Sequence, residues 1–194
     1  DFYYLAYQCY KYNLKTMTVV TGFRSGTSLM MQTLKFLGVP IAGIDFHEEF
    51  SHTDLNPKGY YDLPLSETAQ GIKTDKYKGM GIKLYGGALV QTDPKLISKI
   101  IVCIRKKKSC VDSIFKLLRR HEIQTGIEFN RKISEYYYYL NKKYIELYLK
   151  KANVKNIKIR YESMLKNPEK EIDKIKKFLN ITHDSREAIQ NIGV

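Results

Sequence analysis

Acidic residues are scarce in this chain. Twenty Asp and Glu stand against 33 Lys and Arg in 194 residues, a formal net charge of +13. Such an excess points to an anionic partner, either a polyanion or a small, highly charged anion. The lysines are scattered apart from the cluster Lys106, Lys107 and Lys108. A small anion is therefore expected, and nucleic acid is not. Cysteine is almost missing. Cys9, Cys103 and Cys110 are odd in number and their spacings suit no zinc site. They read as reduced, structural thiols, which favours a cytoplasmic compartment. His47, His52, His121 and His183 make no close pattern, so no metal is expected. No apolar run approaches the roughly 18 residues of a membrane span, so no membrane segment is expected within the chain. The first residue is Asp, which leaves a preceding targeting or anchor segment open.

What is present is ordinary for one globular domain: 43% hydrophobic and 27% charged residues. Strand and helix patterns alternate along the chain. That alternation predicts a three-layer α/β/α domain over 1–194, with a central, mostly parallel sheet. Strands are expected at Met17–Thr21, Met80–Tyr85, Ile100–Arg105 and Asn156–Tyr161, each short, apolar and bounded by polar residues or glycine. Helices are expected at Thr27–Leu37, Ser109–Arg120 and about Ile127–Ala152. A last helix opens at Asn167 as cap, with Pro168 at its first position. Residues between Gly38 and Met80 read mostly as loop, and long loops in compact domains are commonly functional.

One junction carries chemistry. In "TVVTGFRSGTSLM" a strand runs into a glycine-bearing turn and then a helix. Glycines let consecutive N–H groups turn toward one oxyanion. Thr27 and Ser28 open the helix, so their N–H and hydroxyl groups and the helix dipole face that anion. The triphosphate-binding loop has four residues between its glycines, then Lys and Ser/Thr. Here Gly22 and Gly26 enclose three, Thr27 stands in the lysine position, and Arg24 supplies the fixed charge.

"TGFRSGTSLM" resembles the 5′-phosphosulfate loop of sulfotransferases that use 3′-phosphoadenosine 5′-phosphosulfate (PAPS). "IIVCIRKKKSCVDS" resembles that family's 3′-phosphate motif, an arginine at a strand end and a serine eight residues later, here Arg105 and Ser113. "IKIRYESMLKNPEKEIDKIKKFLNI" is similar to its C-terminal strand–helix segment, in which Tyr161 and Glu162 read as structural. The three segments span residues 18–181.

The resemblance implies transfer of a sulfonate from PAPS to a hydroxyl or amine of a small-molecule or carbohydrate acceptor, with 3′,5′-ADP as product. Arg24, Ser25, Gly26, Thr27 and Ser28 would hold the phosphosulfate, and Arg105 and Ser113 the 3′-phosphate. Arg24 would stabilise charge on the leaving oxygen. "GIKLYGG" resembles a family strand in which a lysine precedes a catalytic histidine by two residues. Lys83 matches the lysine, and Tyr85 stands where the histidine would be. The pair Glu48–Glu49 in "GIDFHEEFSHTD" follows the loop helix at a distance similar to that of the catalytic glutamate in tyrosylprotein and bacterial trehalose-type sulfotransferases, which implies Glu48 as the base, with Glu49, His47 and Asp62 as reserves. Asp62 lies in "NPKGYYD", similar to a signature of some bacterial sulfotransferase-like proteins. Tyr60 and Tyr61 beside it suit stacking on an acceptor or packing under the loop. The basic loop with which some members cover the 3′-phosphate has no counterpart before Val194, so either other residues such as Lys106–Lys108 take that role or cofactor affinity is reduced. A phosphoryl-transfer enzyme with a degenerate loop, and an inactive module keeping the fold, stay open as alternatives.

Overall fold

The structure is a computed structural model that describes residues 16–43, 59–126 and 128–192. Four strands form its sheet: β1 Met17–Thr21, β2 Gly81–Leu84, β3 Ile97–Ile104 and β4 Lys155–Arg160. Their order is β2-β1-β3-β4 and every described pairing is parallel. The helices are α1 Thr27–Phe36, α2 Leu65–Thr68, α3 Gly86–Leu89, α4 Lys107–Thr125, α5 Arg131–Ala152, α6 Tyr161–Lys166, α7 Pro168–Leu179 and α8 Arg186–Ile192. Short 3₁₀ turns occupy Asp75–Tyr77 and Pro94–Leu96.

Strand alternation sends successive side chains to opposite faces of the sheet, and both faces are apolar. Val20, Ile101, Cys103 and Ile159 pack with Met30, Met31 and Leu34 of α1, Ile172 and Ile175 of α7, and Ile192 of α8. Val19, Ile82, Leu84, Ile100 and Val102 pack on the other side with Ala88 and Leu89 of α3 and Ile145 and Tyr148 of α5. Helices therefore cover both faces, as the expected three layers require. β1 is followed in space by β2 on one side and β3 on the other, so the chain reverses direction around β1. In open parallel sheets such a reversal leaves a crevice beyond the carboxyl ends of the strands.

Sequence and structure differ at several edges. β1 agrees residue for residue, whereas β3 begins three residues earlier than expected, because Ile97 pairs with Met17 beside a register shift. The long fifth helix starts at Arg131, where the Asn130 side chain accepts from the Ile133 N–H at 3.1 Å. Asn167 precedes α7, but its side chain makes no capping bond. The chain also continues past α7 into α8, so α7 is not the last helix. Residues 38–80 carry the short helix α2 and a 3₁₀ turn within the expected loop.

Candidate active site

The loop after β1 is built to present backbone. Gly22 has φ +135° and Gly26 φ +95°, and Arg24 between them also lies in the left-handed region at φ +54°. A Cβ at Gly22 would sit 2.7 Å from the Cys103 carbonyl oxygen, so only glycine lets the turn lie against β3. Gly26 leads directly into α1 and offers no side-chain cap. The first-turn N–H groups of α1 thus keep their donor capacity toward whatever lies at the loop. Ser25 is 5% exposed and its hydroxyl oxygen has no protein partner. A buried hydroxyl without a partner is rare in a finished fold. Its side chain lies beneath the loop, bordering a small cavity lined by Met30, Cys103, Ile159 and Tyr161.

Arg24 Nε donates to Ser113 Oγ at 2.9 Å. That bond ties the loop after β1 to α4, the helix after β3. Burial lowers the Arg24 proton affinity; the Tyr60 phenol and the Asp62 carboxylate oppose it, while the Arg105 charge reinforces it. Arginine nonetheless stays cationic. Arg105 leaves the end of β3 and stacks over the Tyr161 ring, 4.4 Å from its centroid. The same ring lies under the loop, where a Cβ on Gly26 would come 2.5 Å from Tyr161 Cδ2. Between the two loops sits Cys110, whose thiol faces the carbonyl oxygens of Arg24 at 3.7 Å and Arg105 at 4.0 Å.

Lys83 comes to the same place from β2. Its side chain is 9% exposed, and its ammonium lies 2.9 Å from Asp62 Oδ1. It also donates to Ser28 Oγ at 3.3 Å and to the Tyr60 carbonyl oxygen. Burial lowers its proton affinity, and Asp62 works against that. Tyr60 and Asp62 reach these cations because Tyr61, at φ +55°, turns its own side chain away and buries it. Gln32 of α1 fixes the segment by donating to the Gly59 carbonyl at 3.0 Å.

The structure therefore brings Arg24, Ser28, Lys83, Arg105 and Ser113 close together, with Ser25, Gly26 and Thr27 in the same loop. Glu48, with Glu49 and His47, lies outside the described residues, as does the 44–58 part of the acceptor-side region. Asp62 is the carboxylate among the expected bases that the described residues place at the site. Tyr85 stands at the end of β2 with 39% exposure. Lys107 turns to α5 and donates to Tyr139 Oη at 2.6 Å. Lys106 offers its backbone N–H to Glu162 at 2.9 Å.

A family model described as sulfotransferase domain matches residues 15–193. The chain belongs to the sulfotransferase domain family. PAPS-dependent sulfonate transfer is the activity that goes with this membership. Among solved structures, a crystal structure of retinol dehydratase in complex with androsterone and inactive cofactor PAP has a similar fold. The TM-score is 0.52 at 15% identity, covering 97% of this chain and 67% of that one. No curated protein matches this sulfotransferase in sequence. Among its described residues no helix is long and apolar enough to cross a membrane.

Two contributors were not assigned from sequence. In sequence Tyr161 reads as structural, yet it lies between Arg105 and Gly26; Tyr60 reads as an acceptor or packing residue, yet its phenol raises the Arg24 proton affinity. The Tyr161 signal was visible as a tyrosine at a strand end, but only the parallel sheet brings it under a glycine 135 residues away.

Proposed function

We propose that this sulfotransferase holds the 5′-phosphosulfate of PAPS on the 22–28 loop and the 3′-phosphate on Arg105 and Ser113. The Arg24–Ser113 bond at 2.9 Å carries this reading, because it joins the two half-sites into one crevice of opposite charge to the nucleotide. PAPS supplies the sulfonate, which passes to an acceptor hydroxyl or amine as the bond to the nucleotide phosphate breaks. Arg24 and Lys83 are fixed cations with little water around them, where charge stabilisation is strongest. Thr27 and Ser28 add first-turn donors.

The acceptor's proton goes to a carboxylate on the acceptor side. Glu48 is proposed for that role, with Asp62 as its rival at the described end of the same region. Single changes Glu48→Gln and Asp62→Asn separate them by loss of turnover. The acceptor is a small molecule or carbohydrate bound against the 44–77 region, with Tyr60 at its inner edge.

Thermal-shift titrations test the donor. Selective binding to the native state raises the melting temperature by mass action. The expected order is PAPS and 3′,5′-ADP well above 5′-AMP. Stabilisation by ATP with Mg²⁺ but not by 3′,5′-ADP would replace this reading with phosphoryl transfer.

A further inference from the structure

An ammonium group has three donors, and those of Lys83 are already spoken for. Asp62 Oδ1 takes one at 2.9 Å, Ser28 Oγ a second at 3.3 Å, and the Tyr60 carbonyl oxygen the third. Any further acceptor at this ammonium must displace one of them. The Tyr60 carbonyl is backbone, held by the neighbouring Gln32–Gly59 bond and by the buried turn at Tyr61. Ser28 belongs to the first turn of α1. Asp62 alone joins through a side chain that is half exposed, at 50%, while Lys83 is buried at 9%. Its carboxylate already meets water, and its charge also acts on Arg24.

We propose that Asp62 is a resident anion standing in for the sulfonate, displaced from Lys83 when PAPS binds and returning once 3′,5′-ADP remains. The inference rests on the PAPS reading above. It follows from charge as well as from counting donors: a carboxylate and a sulfonate sharing one poorly hydrated ammonium repel each other. The donor, carrying the sulfonate, must compete with Asp62; the desulfonated product need not. Asp62 therefore sets the preference between donor and product, and its release places a carboxylate on the acceptor side only while the donor is bound.

The test compares dissociation constants of PAPS and 3′,5′-ADP, measured by calorimetry without acceptor, for wild type, Asp62→Asn and Asp62→Glu. Removing a half-exposed charge competitor should tighten PAPS binding by about fivefold. Binding of 3′,5′-ADP should change by less than about twofold, and Asp62→Glu should resemble wild type. Asp62→Ser serves if the asparagine variant fails to fold. Unchanged or weaker PAPS binding in the folded variants overturns the proposal, since Asp62 would then stay paired throughout. Wild-type protein binding neither nucleotide overturns the PAPS reading itself, a different and separable result.

Discussion

Gly26→Ala probes the contact on which the two half-sites rest. At φ +95° an L-residue is strained by about 1–2 kcal/mol. The new methyl would also lie 2.5 Å from Tyr161 Cδ2 and 3.3 Å from Cγ and Cε2. Carbon atoms rest about 3.5–4.0 Å apart, so the ring must withdraw by roughly 1 Å. That movement spoils the Arg105 stack, worth about 0.5–1 kcal/mol at a partly exposed site. Together the change should destabilise the fold by about 1.5–3 kcal/mol, a fall of roughly 3–12 °C in melting temperature for a chain of this size. It should weaken 3′,5′-ADP at the same time. Urea denaturation of Gly26→Ala, Tyr161→Leu and the double variant isolates the collision as a coupling of about 1 kcal/mol. Backbone strain persists in the double variant, whereas the collision does not. If Tyr161→Leu leaves the Gly26→Ala effect undiminished, the ring is not pressed beneath the loop and this account of the site fails.

Arg105→Ala should weaken 3′,5′-ADP by roughly ten- to a hundredfold, as expected for loss of a hydrogen bond to a charged group, and 5′-AMP far less; equal losses for both would remove Arg105 from the 3′-phosphate. Burial holds the Cys103 thiol up at about 12 and the Cys110 thiol at about 11, so neither should react with iodoacetamide in native protein at pH 8, as mass spectrometry of the modified peptides would show. Lys83, lowered by burial, releases its proton in the folded protein below its ordinary 10.5. The unfolded chain then binds more protons in that interval, and the Lys83 contribution to stability rises as pH climbs toward 10.5. Urea midpoints from pH 8 to 10.5 should therefore climb more for wild type than for Lys83→Met.

The parts of this molecule legible in its sequence are those set by local rules. β1 and the start of α1 follow from an apolar run meeting a glycine turn, and both stand where the pattern puts them. The Arg105 strand end was readable for the same reason. Depth was not readable: Lys83 looks in sequence like any lysine near a strand end, and its burial against Ser28, Tyr60 and Asp62 comes from tertiary packing. Asn167 has the composition of a cap, yet its φ of −139° and ψ of 67° accompany no side-chain bond to the helix. Tyr161 earns its place through long-range pairing of β3 and β4, information absent from any window of neighbouring residues.

β4 has a further meaning for the protein as a particle in a crowded solution. Among the described strands it lies at one margin of the sheet, with Ile157 and Ile159 turned to the core and Lys155, Lys158 and Arg160 exposed. A margin with unpaired backbone groups invites another strand to add to it. Here an approaching copy would bring its own row of like charges, and the two would repel before the backbones could join. The basic surplus thus also guards against strand-to-strand clumping, a protection that should weaken as added salt shortens the reach of the charges.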